Sequence, residues 1–193
     1  MIDEIRRRFE HSVRVTAAAG EALAGRIAQA VEMLVACFRA GGGVFLFGNG
    51  GSAADAQHIA GELVGRFLKE RRALKAQALT TDASVLTSIA NDYDFQRVFV
   101  RQLEALARPG DVAVGLTTSG NSPNVLAALR WARGAGLRTI ALTGAGGGRC
   151  AELADVLLDV PETLTPRVQE AHVVVYHVLC EFVEAALAAD EAS

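Results

Sequence analysis

Five short apolar runs alternate with helical patterns along this chain, and that order narrows the possible folds more than any other feature. The runs cover residues 44–47, 76–79, 112–116, 139–142 and 156–160. Each ends in a small polar or Gly-rich segment, and helical periodicity follows. Strand, loop and helix repeated in this way imply a parallel sheet with helices on both faces. The runs are apolar almost throughout, as strands buried on both sides must be.

The helical patterns cover 53–67, a short stretch after Thr80-Thr81-Asp82, 94–107 up to Pro109-Gly110, a segment ending near Arg133, and a short stretch after 144–148. A long last helix starts near Pro166, which suits a first-turn proline, and runs to about Ala188. Residues 2–40 precede the first strand and read as two helices. Ile27, Val31, Leu34, Val35 and Phe38 recur at helical spacing, Gly20 marks a break, and Gly41–Gly43 stop the second helix. A length of 193 residues suits one domain over 1–193, with a helical extension at 1–40 and an α/β core at 41–193.

Composition limits the function. The chain is 51% hydrophobic and 21% charged, which excludes a disordered chain. A net charge of -3 lacks the basic footprint of a nucleic-acid binder, so an anionic substrate must be held by local geometry. Cys37, Cys150 and Cys180 lack metal-type spacing and read as reduced core thiols. No uninterrupted apolar run reaches the roughly 18 residues of a membrane span. The opening Met-Ile-Asp-Glu-Ile-Arg-Arg-Arg does not read as a signal peptide. The expectation is a cytoplasmic protein with neither a membrane nor a nucleic-acid partner.

Ligands of such sheets bind at the carboxyl ends of the strands. Two loops there stand out. Gly48-Asn49-Gly50-Gly51-Ser52 opens a helix whose free N–H groups and dipole suit an anion. Thr117-Thr118-Ser119-Gly120-Asn121-Ser122 opens another and carries more hydroxyls than one cap needs. Helix capping alone would account for Ser52. The first loop is not a Walker A loop, and its fit to a dinucleotide fingerprint lacks a clearly placed ribose acid. His58 and Glu62, four apart, share a helix face and suit zinc binding or proton transfer, or simply a surface ion pair. On the last helix, Gln169 and His177 lie about 80° apart around the axis and about 12 Å apart along it. Both could face one cavity, although meeting at one metal needs inclined side chains. His172 points away from His177 and reads as a satisfied core or interface histidine, as does His11. Asn91-Asp92 is either a polar turn or a sugar contact. Residues 144–148 read as a flexible loop at the rim, and Arg66, Arg71 and Arg72 as a solvated basic face.

Taken together, Gly48 to His58 with Glu62, Asn91-Asp92, Thr118 to Ser122, and Arg167-Val168-Gln169-Glu170-Ala171-His172 with His177 resemble the sugar isomerase (SIS) family, in particular its sedoheptulose 7-phosphate isomerase, or phosphoheptose isomerase, branch. The resemblance covers essentially the whole chain. It implies a doubly wound, flavodoxin-like five-stranded parallel sheet and a ketose–aldose isomerase acting on a sugar phosphate at the start of heptose biosynthesis. It implies that Asn49, Gly50, Gly51, Ser52, Asn91, Asp92 and Gln169 line the substrate site. Thr117, Thr118, Ser119 and Ser122 would hold the phosphate, with Thr117 replacing the commoner serine. His58, Glu62, Gln169 and His177 would bind one zinc ion per subunit, and Glu62 and His177 would also be the acid/base pair. The family's homotetramer would share active sites between subunits. The alternative is a non-catalytic SIS module that binds a replication initiator or another protein. Such relatives lack the second histidine of the last helix, and His177 is present here.

Overall fold

The computed structural model describes residues 1–191. Five parallel strands form one sheet: β1 (Val44–Gly48), β2 (Ala76–Ala78), β3 (Val112–Thr117), β4 (Arg138–Thr143) and β5 (Val156–Asp159). Their spatial order is β2-β1-β3-β4-β5. The chain leaves β1 toward one edge and returns to build β3, β4 and β5 on the other side, so the winding reverses between β1 and β3. Gly48 pairs in register with Leu116 there, and the loops after β1 and β3 leave the sheet side by side. A doubly wound sheet presents its binding crevice at such a point.

Six α-helices cover the sheet: α1 (Ile2–Arg39), α2 (Gly51–Val64), α3 (Ala83–Asp92), α4 (Val100–Leu106), α5 (Pro123–Gly134) and α6 (Thr165–Glu191). The strands alternate between two apolar cores. Val44, Leu46, Val112, Val114, Leu116, Ile140 and Leu142 face α1, α2 and α6. Phe45, Phe47, Ala113 and Ala141 face the α4 and α5 side. α6 is apolar and long enough to cross a membrane by composition, but half of its apolar window is buried within the fold. It serves as a core helix along α1 and α2. All three cysteines are free and buried, and burial pushes their thiols up to about 11 for Cys37 and Cys150 and about 12 for Cys180.

Several local expectations are corrected. Residues 2–39 form one helix instead of two. Gly20 is exposed, with open space where a side chain would stand. Its intrinsic cost of about 1 kcal/mol is outweighed by a continuous buried row, Val15, Ala19, Leu23, Ile27, Ala30 and Leu34, packed along α6. The stretch 94–107 is split. Asp94 caps a 3-10 turn at Phe95–Arg97, and α4 follows. α2 stops at Val64, short of Phe67.

Arg71 does not belong to a solvated face. Its side chain is 1% exposed, beside the 2% exposed side chain of Glu184 on α6. Arg71 donates to the carbonyls of Glu62 and Gly65, which end α2, and of Arg72. Glu184 accepts the backbone N–H groups of Phe67, Leu68 and Lys69 at 2.6–2.7 Å. The pair fastens the α2–β2 connection to α6 and supplies the end of α2 with donors that it would otherwise lack.

Candidate active site

The hydroxyl-rich loop after β3 is built as a cup. Thr117 Oγ1 lies 2.9 Å from Ser122 Oγ and 3.4 Å from Ser119 Oγ. Ser122 occupies the N-cap of α5, yet its hydroxyl makes no capping bond. Capping therefore does not account for these hydroxyls, which gather at the positive end of a helix, where an anion is favoured. The Gly-rich segment 144–148, expected as a flexible rim loop, instead braces this cup. Gly144 N–H donates to Thr118 O, Cys150 N–H to Gly120 O, and Arg149 N–H to Asn121 Oδ1. Gly120 has φ +65, and a Cβ there would stand 2.1 Å from Gly147 O, so only glycine permits this approach.

The loop after β1 is tied to the cup by two carboxamides. Asn49 Nδ2 donates to Asn124 Oδ1 at 2.9 Å, and Asn124 Nδ2 donates back to Asn49 Oδ1 at 2.8 Å. Asn124 is 2% exposed and was not visible as a functional position in the sequence. Its only signal is a polar residue on the inner face of α5, whose other buried residues are all apolar. α2 begins with Gly50 as an N-cap that lacks a side chain, and Ser52 is buried in the first turn.

From that end, α2 runs beside α6. Gly51 lies against the Gln169 carboxamide, close enough that a Cβ would stand 2.5 Å from Nε2. Farther along, His58 and Glu62 meet His177. His58 Nε2 is 3.0 Å from Glu62 Oε1 and 3.3 Å from His177 Nε2. One ligand atom from each of these three residues lies within 4.8 Å of the other two. Two imidazole nitrogens and a carboxylate oxygen suit a divalent transition metal with an open coordination position. Gln169 stands at Gly51, beside the start of α2. Seven residues of helix, about 10 Å, separate Gly51 from His58, so the cluster lies within the length of a small sugar phosphate from the loops.

Two further groups were not read as functional from sequence. Tyr176, 1% exposed, places its hydroxyl 3.0 Å from His58 Nδ1 and 3.4 Å from Asp55 Oδ1. Burial, then the Asp55 charge, holds the Tyr176 hydroxyl above its ordinary range, so it remains a phenol. Burial also raises Asp55. His172 is a core histidine, as expected, but only half satisfied, since its buried Nδ1 has no hydrogen-bond partner among the described residues. It bonds Thr143 O at 3.0 Å, and burial lowers it to about 4. His11 pairs with Glu162 at 2.7 Å. Asn91 donates to Asp92 at the exposed end of α3.

Comparison with known proteins gives these features a context. Residues 8–144 match the model of the SIS domain family. The chain is 52% identical over 184 residues to the phosphoheptose isomerase of Aquifex aeolicus, covering 95% of this chain and 96% of that one. The chain belongs to the phosphoheptose isomerase family of SIS-domain proteins. It is accordingly an isomerase. Two solved phosphoheptose isomerases share the whole fold. That of Neisseria gonorrhoeae has a TM-score of 0.89 at 43% identity, and that of Francisella tularensis has 0.92 at 36%. Each alignment covers 95% of this chain and 98% of the other. Both the expected doubly wound sheet and the enzyme reading hold.

Proposed function

We propose that the chain interconverts sedoheptulose 7-phosphate and D-glycero-D-manno-heptose 7-phosphate through an enediol, as a cytoplasmic homotetramer of single SIS domains that supplies heptose biosynthesis. The observation that carries this reading is the His58–Glu62–His177 cluster, whose α2 members lie about two to three helical turns beyond the Gly-rich start of that helix. Thr117, Thr118, Ser119 and Ser122 bind the phosphate with hydroxyls, helped by the α5 dipole, without a lysine or arginine. Asn49, Gly50, Gly51, Ser52 and Gln169 line the path from the phosphate to the reacting carbons. Asn91 and Asp92 bind sugar hydroxyls.

Glu62 removes the proton from C1 of the ketose and returns it to C2, and His177 moves the hydroxyl proton between O2 and O1. Atoms balance within the one substrate, and no external reductant is needed. Glu62 turns Oε1 toward the histidines, which leaves Oε2 to carry the proton. His58, Glu62 and His177 suit one zinc ion, with Gln169 completing the set across a subunit interface. When bound, zinc supplies positive charge beside the developing enediolate oxygen.

Turnover of sedoheptulose 7-phosphate, followed by NMR with and without a chelator and added zinc, tests this reading. The aldose phosphate should appear, and the chelator should slow its formation. No aldose under any metal condition, from folded protein that binds phosphate, would overturn it. Thr117→Val and Ser122→Ala should each raise KM about 10–150-fold, since a hydrogen bond to a charged group is worth about 1.5–3 kcal/mol. Their kcat and melting temperature should change little, and an unchanged KM in both would remove the cup from the phosphate site.

A further inference from the structure

Tyr176 and Asp55 lie outside the set of residues that the family resemblance assigns, yet they form a hydrogen-bonded chain to the far side of His58. A histidine that offers Nε2 to a metal must carry its proton on Nδ1, and that N–H needs an acceptor. The atom facing Nδ1 is the Tyr176 hydroxyl oxygen at 3.0 Å. The hydroxyl's own proton then has Asp55 Oδ1 as its acceptor at 3.4 Å. Asp55 stands one turn before His58 on α2, so both helix positions face the same point on α6. Its Oδ2 is buried and without a partner, so Tyr176 is the side chain that this carboxyl engages. The ring of Tyr176 also packs edge-on against both His58 and His177, which fixes the height of its hydroxyl.

We propose that Asp55 and Tyr176 are positioning residues that hold His58 as its Nδ1–H tautomer, and so aim a bare Nε2 lone pair at a divalent cation shared with Glu62 and His177. This inference rests on the reading of that cluster as a metal site. In the opposite arrangement the tyrosine O–H would donate to Nδ1, the proton would sit on Nε2, and the lone pair facing Glu62 and His177 would be lost. Asp55 prevents this by competing for the phenolic proton.

The test is competition of the metal-free full chain against a chromophoric chelator for Zn2+, repeated with Co2+, whose visible spectrum reports coordination. Wild type should bind. Tyr176→Phe keeps the ring and its packing, and should bind about 10–100-fold more weakly with an altered Co2+ spectrum, the usual cost of losing a group that orients a metal-bound histidine. Asp55→Ala, which leaves the phenol free to donate to His58, should bind at least fivefold more weakly. Neither variant should shift the melting temperature enough to suggest lost packing. If wild type binds neither metal, the metal site itself is wrong. If wild type binds and folded Tyr176→Phe matches it within twofold, the positioning role is overturned while the metal site survives. Should Tyr176→Phe fail to fold, Asp55→Ala decides by the same comparison.

Discussion

Glu62→Gln is expected to reduce turnover by a factor of about 10²–10⁴ while sugar phosphate still binds. The substitution is isosteric and leaves α2 intact, because the Glu62 contribution to the fold is its backbone carbonyl, bonded by Arg71. What it removes is the carboxylate that lies 3.0 Å from His58 and that the proposed reaction uses as its base. His177→Ala should produce a loss of similar size, since that ring is the other proton carrier in the proposed reaction. Binding measured by calorimetry, beside turnover measured by NMR, separates chemistry from recognition. Metal content measured on the same samples separates the two roles assigned to Glu62. A dead variant that keeps its metal has lost proton transfer, and a dead variant that has lost its metal has lost a ligand. Turnover retained in both variants would remove these residues from the reaction.

Glu184→Ala is expected to destabilise the fold by about 3–5 kcal/mol, because it leaves Arg71 buried without its carboxylate. For a chain of this size that corresponds to a fall in melting temperature of roughly 10 °C. Three backbone N–H groups, from Phe67, Leu68 and Lys69, lose their acceptor in the same step. A melting temperature within about 1 °C of wild type would show that the pair carries no such weight. The effect also has a pH signature. Burial pushes the Glu184 carboxyl up, but the three backbone donors and Arg71 outweigh it, and the net shift is downward from 4.5. A carboxyl lowered in the folded state binds fewer protons there than in the unfolded chain. Its stabilisation is therefore complete above about pH 4.5 and is lost as the pH falls through the lower folded value. Wild type should lose stability across that acid range more steeply than Glu184→Gln.

The two predictions differ in how far the sequence reveals them. Glu62 and His58 sit four apart beyond a Gly-rich loop, and local spacing was enough to pair them. The Arg71–Glu184 pair joins residues 113 positions apart, and Arg66, Arg71 and Arg72 read as a solvated basic face. Only docking of α6 against the α2–β2 connection turns that arginine inward.

The same division holds across the protein. Strand positions, the Gly-rich and hydroxyl-rich loops after β1 and β3 and the parallel arrangement were legible because they follow from short-range patterns: apolar runs of strand length, glycines where the chain turns, hydroxyls at helix starts. The continuity of α1 was not legible. A glycine in mid-helix is locally unfavourable, and the apolar row that overrides it gains its energy from α6, more than 130 residues away. The bracing of the loop after β3 by residues 144–150, the Asn49–Asn124 link and the Asp55–Tyr176–His58 chain likewise belong to tertiary structure. Each needs two elements brought within hydrogen-bond distance, and a hydrogen bond between groups far apart in sequence leaves no local period to read. The sequence thus determined the five strands, the order of the elements around them and the helices on which His58, Glu62 and His177 lie. The packing of α6 against α1 and α2 decided which of those side chains meet, because direction and distance across an interface are set by the burial of whole helix faces.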